Sequence, residues 1–337
     1  GRLFGAGDSG RAAHDPRLQQ MAARVLEMHP RLRLAPRCDA RLAAAMAPAL
    51  SHIQALVAGV PRAHQASSEA WSADPYVRAY FAAPDDIVQV LARSQALHDY
   101  FGASAGAGSA YAVMGMTMNE RNTLGVAQVD GQTRSDVPQT TLGFSDHLIR
   151  LCGADEDGLR EEVTRRMMEQ IAIEGLAKVA ADTTLREDLE QERALLGTRL
   201  RLLERQGAGL RGMVGSPTPD DPGELARVRA EAQENEQRLQ ALGPRSEALS
   251  RQLDTLCGAF ANAPELLQVS TVPRRIDRMN VVVRHGVGDE AGSQLLEFRV
   301  ARVPGNPPQQ RALAILKVER SDMPRAANLL DNADRLL

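Results

Sequence analysis

The sequence predicts a mostly helical α+β protein: an N-terminal helical domain, then a small β-containing domain interrupted by a long antiparallel coiled-coil hairpin. Three observations carry this expectation. Apolar residues recur at three- and four-residue steps from Pro16 to Phe101. Segments of alternating pattern lie on both sides of a charged block. Inside that block runs a seam of apolar positions at coiled-coil spacing. The expected organisation is a loose arm over 1–15, a helical domain over 16–101 and the first part of the β domain over 109–153. A coiled-coil hairpin over 155–262, the second part of the β domain over 264–320 and a closing helix over 321–337 complete it.

Asp15 followed by Pro16 reads as an N-cap with proline at the first helical position, and Leu18, Met21, Ala22 and Val25 form the apolar face behind it. His29-Pro30 ends that helix. A second runs from Asp39 to Ala58, with Pro48 as a kink, and Asp74-Pro75 and Pro84-Asp85 start two more. Six of the 11 aromatic residues lie between 71 and 101, which marks a core. The glycine-rich run from Gly102 to Gly108 reads as a linker, since a phosphate loop needs a lysine and a following helix.

Tyr111–Met118 alternates as a strand with Met114, Met116 and Met118 on one face. A turn is expected at Asn119–Asn122, a second strand over Leu124–Val129, a turn at Asp130-Gly131 and a third strand over Thr140–Leu151.

Residues 155–262 hold 15 basic and 21 acidic residues and one aromatic, Phe260. From Leu225 onward, alternate steps of three and four connect Leu225, Val228, Ala232, Asn235, Leu239, Leu242, Ser246, Leu249, Leu253, Leu256 and Phe260 as a seam. Asn235 stands where an apolar residue belongs, as a register device or a partly solvated site. Gly243-Pro244 should kink or divide this arm. The upstream arm carries Leu189, Leu196 and Leu203 seven apart. Gln206–Gly223, rich in glycine and proline, cannot stay helical, so the arms should fold back on each other. At 1.5 Å per residue they would be on the order of 75 and 55 Å long.

Downstream, Met279–Arg284, Leu295–Val303 and Ala312–Glu319 read as a three-strand meander, with Leu296, Phe298 and Val300 facing one side. Extended segments on both sides of the hairpin imply one β domain into which it is inserted.

The chain has 337 residues and a formal net charge of −3, which supplies no basic field for nucleic acid, and none is expected as a partner. No apolar run reaches the roughly 18 residues of a membrane span. Three widely spaced cysteines, Cys38, Cys152 and Cys257, fit a reducing, cytoplasmic setting, while the start at Gly1 leaves room for an upstream anchor or signal. The seven histidines form no close metal pair, so neither a metal nor a cofactor is expected. Ser145-Asp146-His147 holds the residue types of a hydrolase triad, but in a strand neighbours point to opposite faces.

Arg274, Arg275 and Arg278, with Arg284 nearby, could hold a phosphate or carboxylate through their forks. The spacing Arg274-xxx-Arg278 resembles the first half of the PilZ-domain signature, which grips a cyclic dinucleotide. The second half does not follow, because Ser293 in Asp289-Glu-Ala-Gly-Ser293 falls two places late, so no family is assigned. The sequence thus points to a non-enzymatic interaction or scaffold protein that meets a protein partner, or itself, through the coiled coil. The alternative is a ligand-sensing module that binds an anionic nucleotide at the arginine cluster. A third reading is an enzyme whose site assembles from distant residues.

Overall fold

The computed structural model describes residues 15–129, 132–208, 222–283, 292–303 and 309–324. The expected arm over 1–15 and closing helix over 321–337 lie almost wholly outside these residues. The fold is mostly helical α+β, built as two compact units, Gly1–Ala49 with Glu169–Asn262 and Leu50–Met168 with Ala263–Leu337. This division differs from a separate helical domain over 16–101. Residues after Ala49 group with the sheet, because the aromatics of that stretch share one core with the strands. No helix among the described residues is long and apolar enough to cross a membrane.

In the first unit, helix α1 (Pro16–Met28) starts as expected: the Asp15 carboxylate accepts from the Arg17 amide at 2.9 Å. Helix α2 (Cys38–Ala58) holds Pro48, beside the boundary between the two units. The longest helix, α7 (Glu156–Ala208), has 53 residues, about 80 Å of helix. Helix α8 (Pro222–Ala241) pairs with it antiparallel: Arg193 meets Glu236 at 3.4 Å, and further along α7 Arg199 meets Glu224 at 2.7 Å. Numbering rises on one helix as it falls on the other.

Val228, Asn235 and Leu239 of α8 are buried, as are Leu189 and Leu196 of α7. Leu225, Leu242 and Leu249 are half-buried. Gly243-Pro244 ends the helix, and Gly243 takes a left-handed φ of +70° that a side chain would resist. A 3₁₀ turn (Arg245–Glu247) follows, then α9 (Ala248–Ala261), on which Leu253, Leu256 and Phe260 are buried. Ser246, which keeps the three-four spacing, is therefore exposed, because the helix that would bury it is interrupted. Gly175 of α7 lies where a Cβ would come 2.8 Å from Leu256 and 3.0 Å from Ala259, so α7 and α9 approach too closely there for a larger residue.

In the second unit, short helices α3 (Ser68–Ala73), α4 (Pro75–Tyr80), α5 (Pro84–Ala92) and α6 (Gln95–Ala103) pack on a six-stranded sheet. Its strands are β1 (His64–Gln65), β2 (Ser109–Val129), β3 (Gln132–Gly153), β4 (Gln268–Ile276), β5 (Gln294–Val303) and β6 (Gln309–Glu319). The four-residue helix α10 (Ala263–Leu266) directly precedes β4. The order is β3-β2-β6-β5-β4, with β1 parallel to β6. Strands from both sides of the helical block thus share one sheet, through β2 and β6 paired from Ser109↔Glu319 to Met116↔Ala312.

Two local expectations are corrected and one cannot be followed. Asn119–Asn122 is no turn, since β2 runs through it paired to Gly143–Thr140 of β3. The Asp130-Gly131 turn lies outside the described residues. The first strand of the meander is Gln268–Ile276 rather than Met279–Arg284. Pro273 is tolerated because β4 ends the sheet order. The Asp277 carboxylate accepts from the amides of Met279 and Val281 at 2.8 Å and turns the chain. Residues 280–283 then bridge the two outer strands: the Val282 amide donates to Thr140 on β3, and the Val283 amide to Arg275 on β4.

The core sets small strand residues against large helical ones. Ala110, Ala112, Ala312 and Ala314 are buried on the strands beside Val77, Tyr80, Phe81 and Leu91 of the helices. Tyr80 meets Phe144 edge-on at 5.4 Å and Phe298 at 6.0 Å. Met114 and Met116 are fully buried, so the methionine face is core.

Arginine forks close the C-terminal ends of three helices. Arg160 donates to the carbonyls of Val57, Val60 and Pro61 just at and beyond the end of α2. Arg320 donates to Phe101, Ser104 and Ala107 around the end of α6 and lies 4.9 Å over the Phe101 ring. Arg186 donates to Leu242 and Gly243 after α8. Each satisfies carbonyls that have no partner within the helix and carries charge to the negative end of its dipole.

Two outcomes follow. Leu239→Asp buries a carboxylate against α7 and should weaken the helix pair by roughly 3 kcal/mol, read as lost helical circular dichroism on heating. Arg320→Lys cannot span three carbonyls and should lower stability by about 1–3 kcal/mol in denaturant titrations; an unchanged midpoint would show that the fork is dispensable.

Candidate functional site

Among the described residues, Arg274, Arg275 and Arg278 are not gathered into one pocket. Arg274 and Arg275 are consecutive on β4, so their side chains leave opposite faces. Arg274 Nε donates to Glu120 Oε1 on β2 at 2.6 Å, and its Nη1 to the Pro273 carbonyl at 2.9 Å. Arg275 is half-buried and Arg278 exposed in the turn. Arg284 lies outside the described residues.

The Ser145-Asp146-His147 run forms no relay either. It sits where the register of β3 against β2 shifts, and Asp146 has a φ of +52°. Ser145 Oγ accepts from Asn119 Nδ2 at 2.9 Å and lies 3.5 Å from Asp146 Oδ2. Thr117 Oγ1 donates to the same carboxylate at 3.1 Å. The His147 ring is engaged elsewhere: its Nε2 donates to the Tyr80 carbonyl at 2.7 Å, and the ring stacks on Phe81 at 5.0 Å. Burial holds the His147 imidazole below its ordinary pKa.

A histidine–carboxylate pair that the sequence did not reveal lies between β1 and α4. His64 Nδ1 is 2.6 Å from Asp74 Oδ2, while Asp74 Oδ1 caps α4 by accepting from Tyr76 N at 2.8 Å and Val77 N at 3.4 Å. Burial alone would raise the Asp74 carboxyl. The His64 hydrogen bond and attraction, with the two amides, outweigh it and hold Asp74 below its ordinary value. His64 Nε2 is buried without a partner, and the ring lies 4.8 Å from that of Tyr76. Burial, with Tyr76 and Asp74 nearby, pushes the Tyr80 phenol far up. The pair could move a proton chemically, but its free nitrogen has no contact with solvent. The cap was legible in Asp74-Pro75. The partner ten residues earlier was not, because only the sheet brings β1 to α4.

The expected seam residues are brought together in part. Asn235 is 2 % exposed and its Nδ2 donates to Glu192 Oε2 on α7 at 2.6 Å, while its Oδ1 is buried without a partner. The polar contact joins the two helices at one register. On α7, Leu195 and Leu202 are 72 % and 54 % exposed, seven residues apart and so on the same face. That outward pair follows from the helix period, yet only burial separates it from the seam leucines 189 and 196.

His147 generates a pH dependence. Its folded pKa lies below the ordinary 6.5, so the unfolded chain takes up the proton first as pH falls. The associated stability is intact above about 6.5 and declines as pH drops towards the folded pKa. His147→Gln should flatten this part of the stability profile in denaturant titrations from neutral pH downward; an unaltered slope would show that His147 titrates normally. Neither a family model, nor a curated protein, nor a solved structure matches this chain.

Proposed function

We propose that this chain is a non-enzymatic interaction or scaffold protein, in which α7 and α8 pair as an antiparallel coiled coil and offer an outer face to other proteins. The observation that supports this reading is the outward leucine pair on α7. One face of the helix is occupied by the seam, and Leu195 and Leu202 remain in water on another. Apolar area left in water costs about 25 cal/mol per Å², which a protein contact would recover. We place the protein in the reducing cytoplasm, in keeping with the free thiols of Cys38, Cys152 and Cys257. The sensor reading at Arg274, Arg275 and Arg278 has no comparable support, since Arg274 is already tied to Glu120.

A photo-crosslinking amino acid in place of Leu195, in the full-length chain within cells, should yield protein adducts. The same residue in place of Met279, 78 % exposed in the second unit, should yield none. Adducts confined to position 279, or absent from both, would sink the proposal.

A further inference from the structure

The outer face of α7 has more pattern than two leucines. Asp188, Gln191, Leu195, Thr198, Leu202 and Arg205 follow one another at alternate steps of three and four, which places them in one stripe, and all six are exposed. The Thr198 hydroxyl donates back to the Ala194 carbonyl at 3.0 Å, so its methyl is free to pack. The stripe is therefore apolar or uncharged in its middle, acidic at one end and basic at the other. Among the described residues neither Asp188 nor Arg205 has an ion pair.

We propose that a second copy of this chain covers this stripe, α7 against α7 in antiparallel orientation. Turned about a two-fold axis between Leu196 and Gly197, the stripe is its own complement. Asp188 meets Arg205 of the second copy, Gln191 meets Leu202 of the second copy, and Leu195 meets Thr198 of the second copy, each contact occurring twice. A parallel pairing would set Asp188 against Asp188 and Arg205 against Arg205, which like-charge repulsion opposes. The stripe covers 17 steps of helix, about 25 Å, so the interface is small and the dimer should dissociate on dilution. This inference rests on the reading of α7 as an interaction surface and names its partner.

Sedimentation equilibrium of the full-length chain over a range of concentrations tests it. The unmodified protein should show a monomer–dimer equilibrium that weakens with salt. Asp188→Arg and Arg205→Asp should each raise the dissociation constant about tenfold or more, because each sets like charges opposite one another twice. The double variant should recover the original constant. An equimolar mixture of the two single variants should form the heterodimer, since every charge then faces its opposite. Unchanged circular dichroism would confirm that these exposed substitutions leave the helices intact. A monomer at every concentration overturns the inference, as does a dimer indifferent to the reversals. A monomer that still gives photo-adducts from position 195 with a different protein overturns the self-pairing and leaves the scaffold reading standing. Loss of both removes the two together.

Discussion

The pairing of β2 with β6 is the constraint on which the second unit depends. These strands are separated in sequence by the whole helical block, yet Ser109–Met116 must align with Ala312–Glu319 in a single register. A slip of one residue would turn Ala110, Ala112, Met114 and Met116 out of the core and Tyr111 and Val113 into it. Such a long connection costs little more closure entropy than a moderate one, because the penalty grows only with the logarithm of length. The antiparallel course of α7 and α8 reduces it further by returning the chain. The core then follows: alanines on β2 and β6 leave room for Tyr80 and Phe81, and β5 contributes Phe298, which meets the Tyr80 ring.

Helix ends are the second recurring problem, and this chain meets it with guanidinium groups. Arg160, Arg186 and Arg320 each reach two or three carbonyls from a distant part of the sequence. An ammonium could neutralise one end of a dipole, but it lacks the planar fork that serves several acceptors at once. Arg160 is itself held by Glu156, one turn earlier on α7, at 2.7 Å. These contacts cost the arginines their freedom and tie each helix end to another element, so loss of one would be felt at both.

Polar groups also select among alternatives that apolar packing leaves open. Leucine seams tolerate shifts by a heptad, whereas the contact between Asn235 and Glu192 ties the two helices together at the observed register. The Asn235 Oδ1 stays buried without a partner, which costs part of what that contact contributes. In the proposed dimer, the charges at the ends of the outer stripe would restrict a choice that two leucines leave open. His64 and Asp74 act similarly within the second unit, orienting β1 against the start of α4.

Local patterns by themselves determined the helix starts at Pro16, Pro75 and Pro84, the division of the second arm at Gly243-Pro244 and the cap at Asp15, since each arises from interactions within a few residues. The mostly helical α+β class was legible for the same reason. What only the tertiary structure decided depends on distant partners. Met279–Arg284 reads as the first strand of the meander until the sheet takes Gln268–Ile276 at the end of its order, where Pro273 lacks no needed donor. Asn119–Asn122 reads as a turn until β3 pairs with it. Arg274 and Arg275 read as a cluster until β4 sends them to opposite faces. The aromatics of 71–101 signalled a core, but that it is shared with the sheet depended on which strands came to lie beneath them. Periodicity reports which residues share a face; it carries no information about what that face meets.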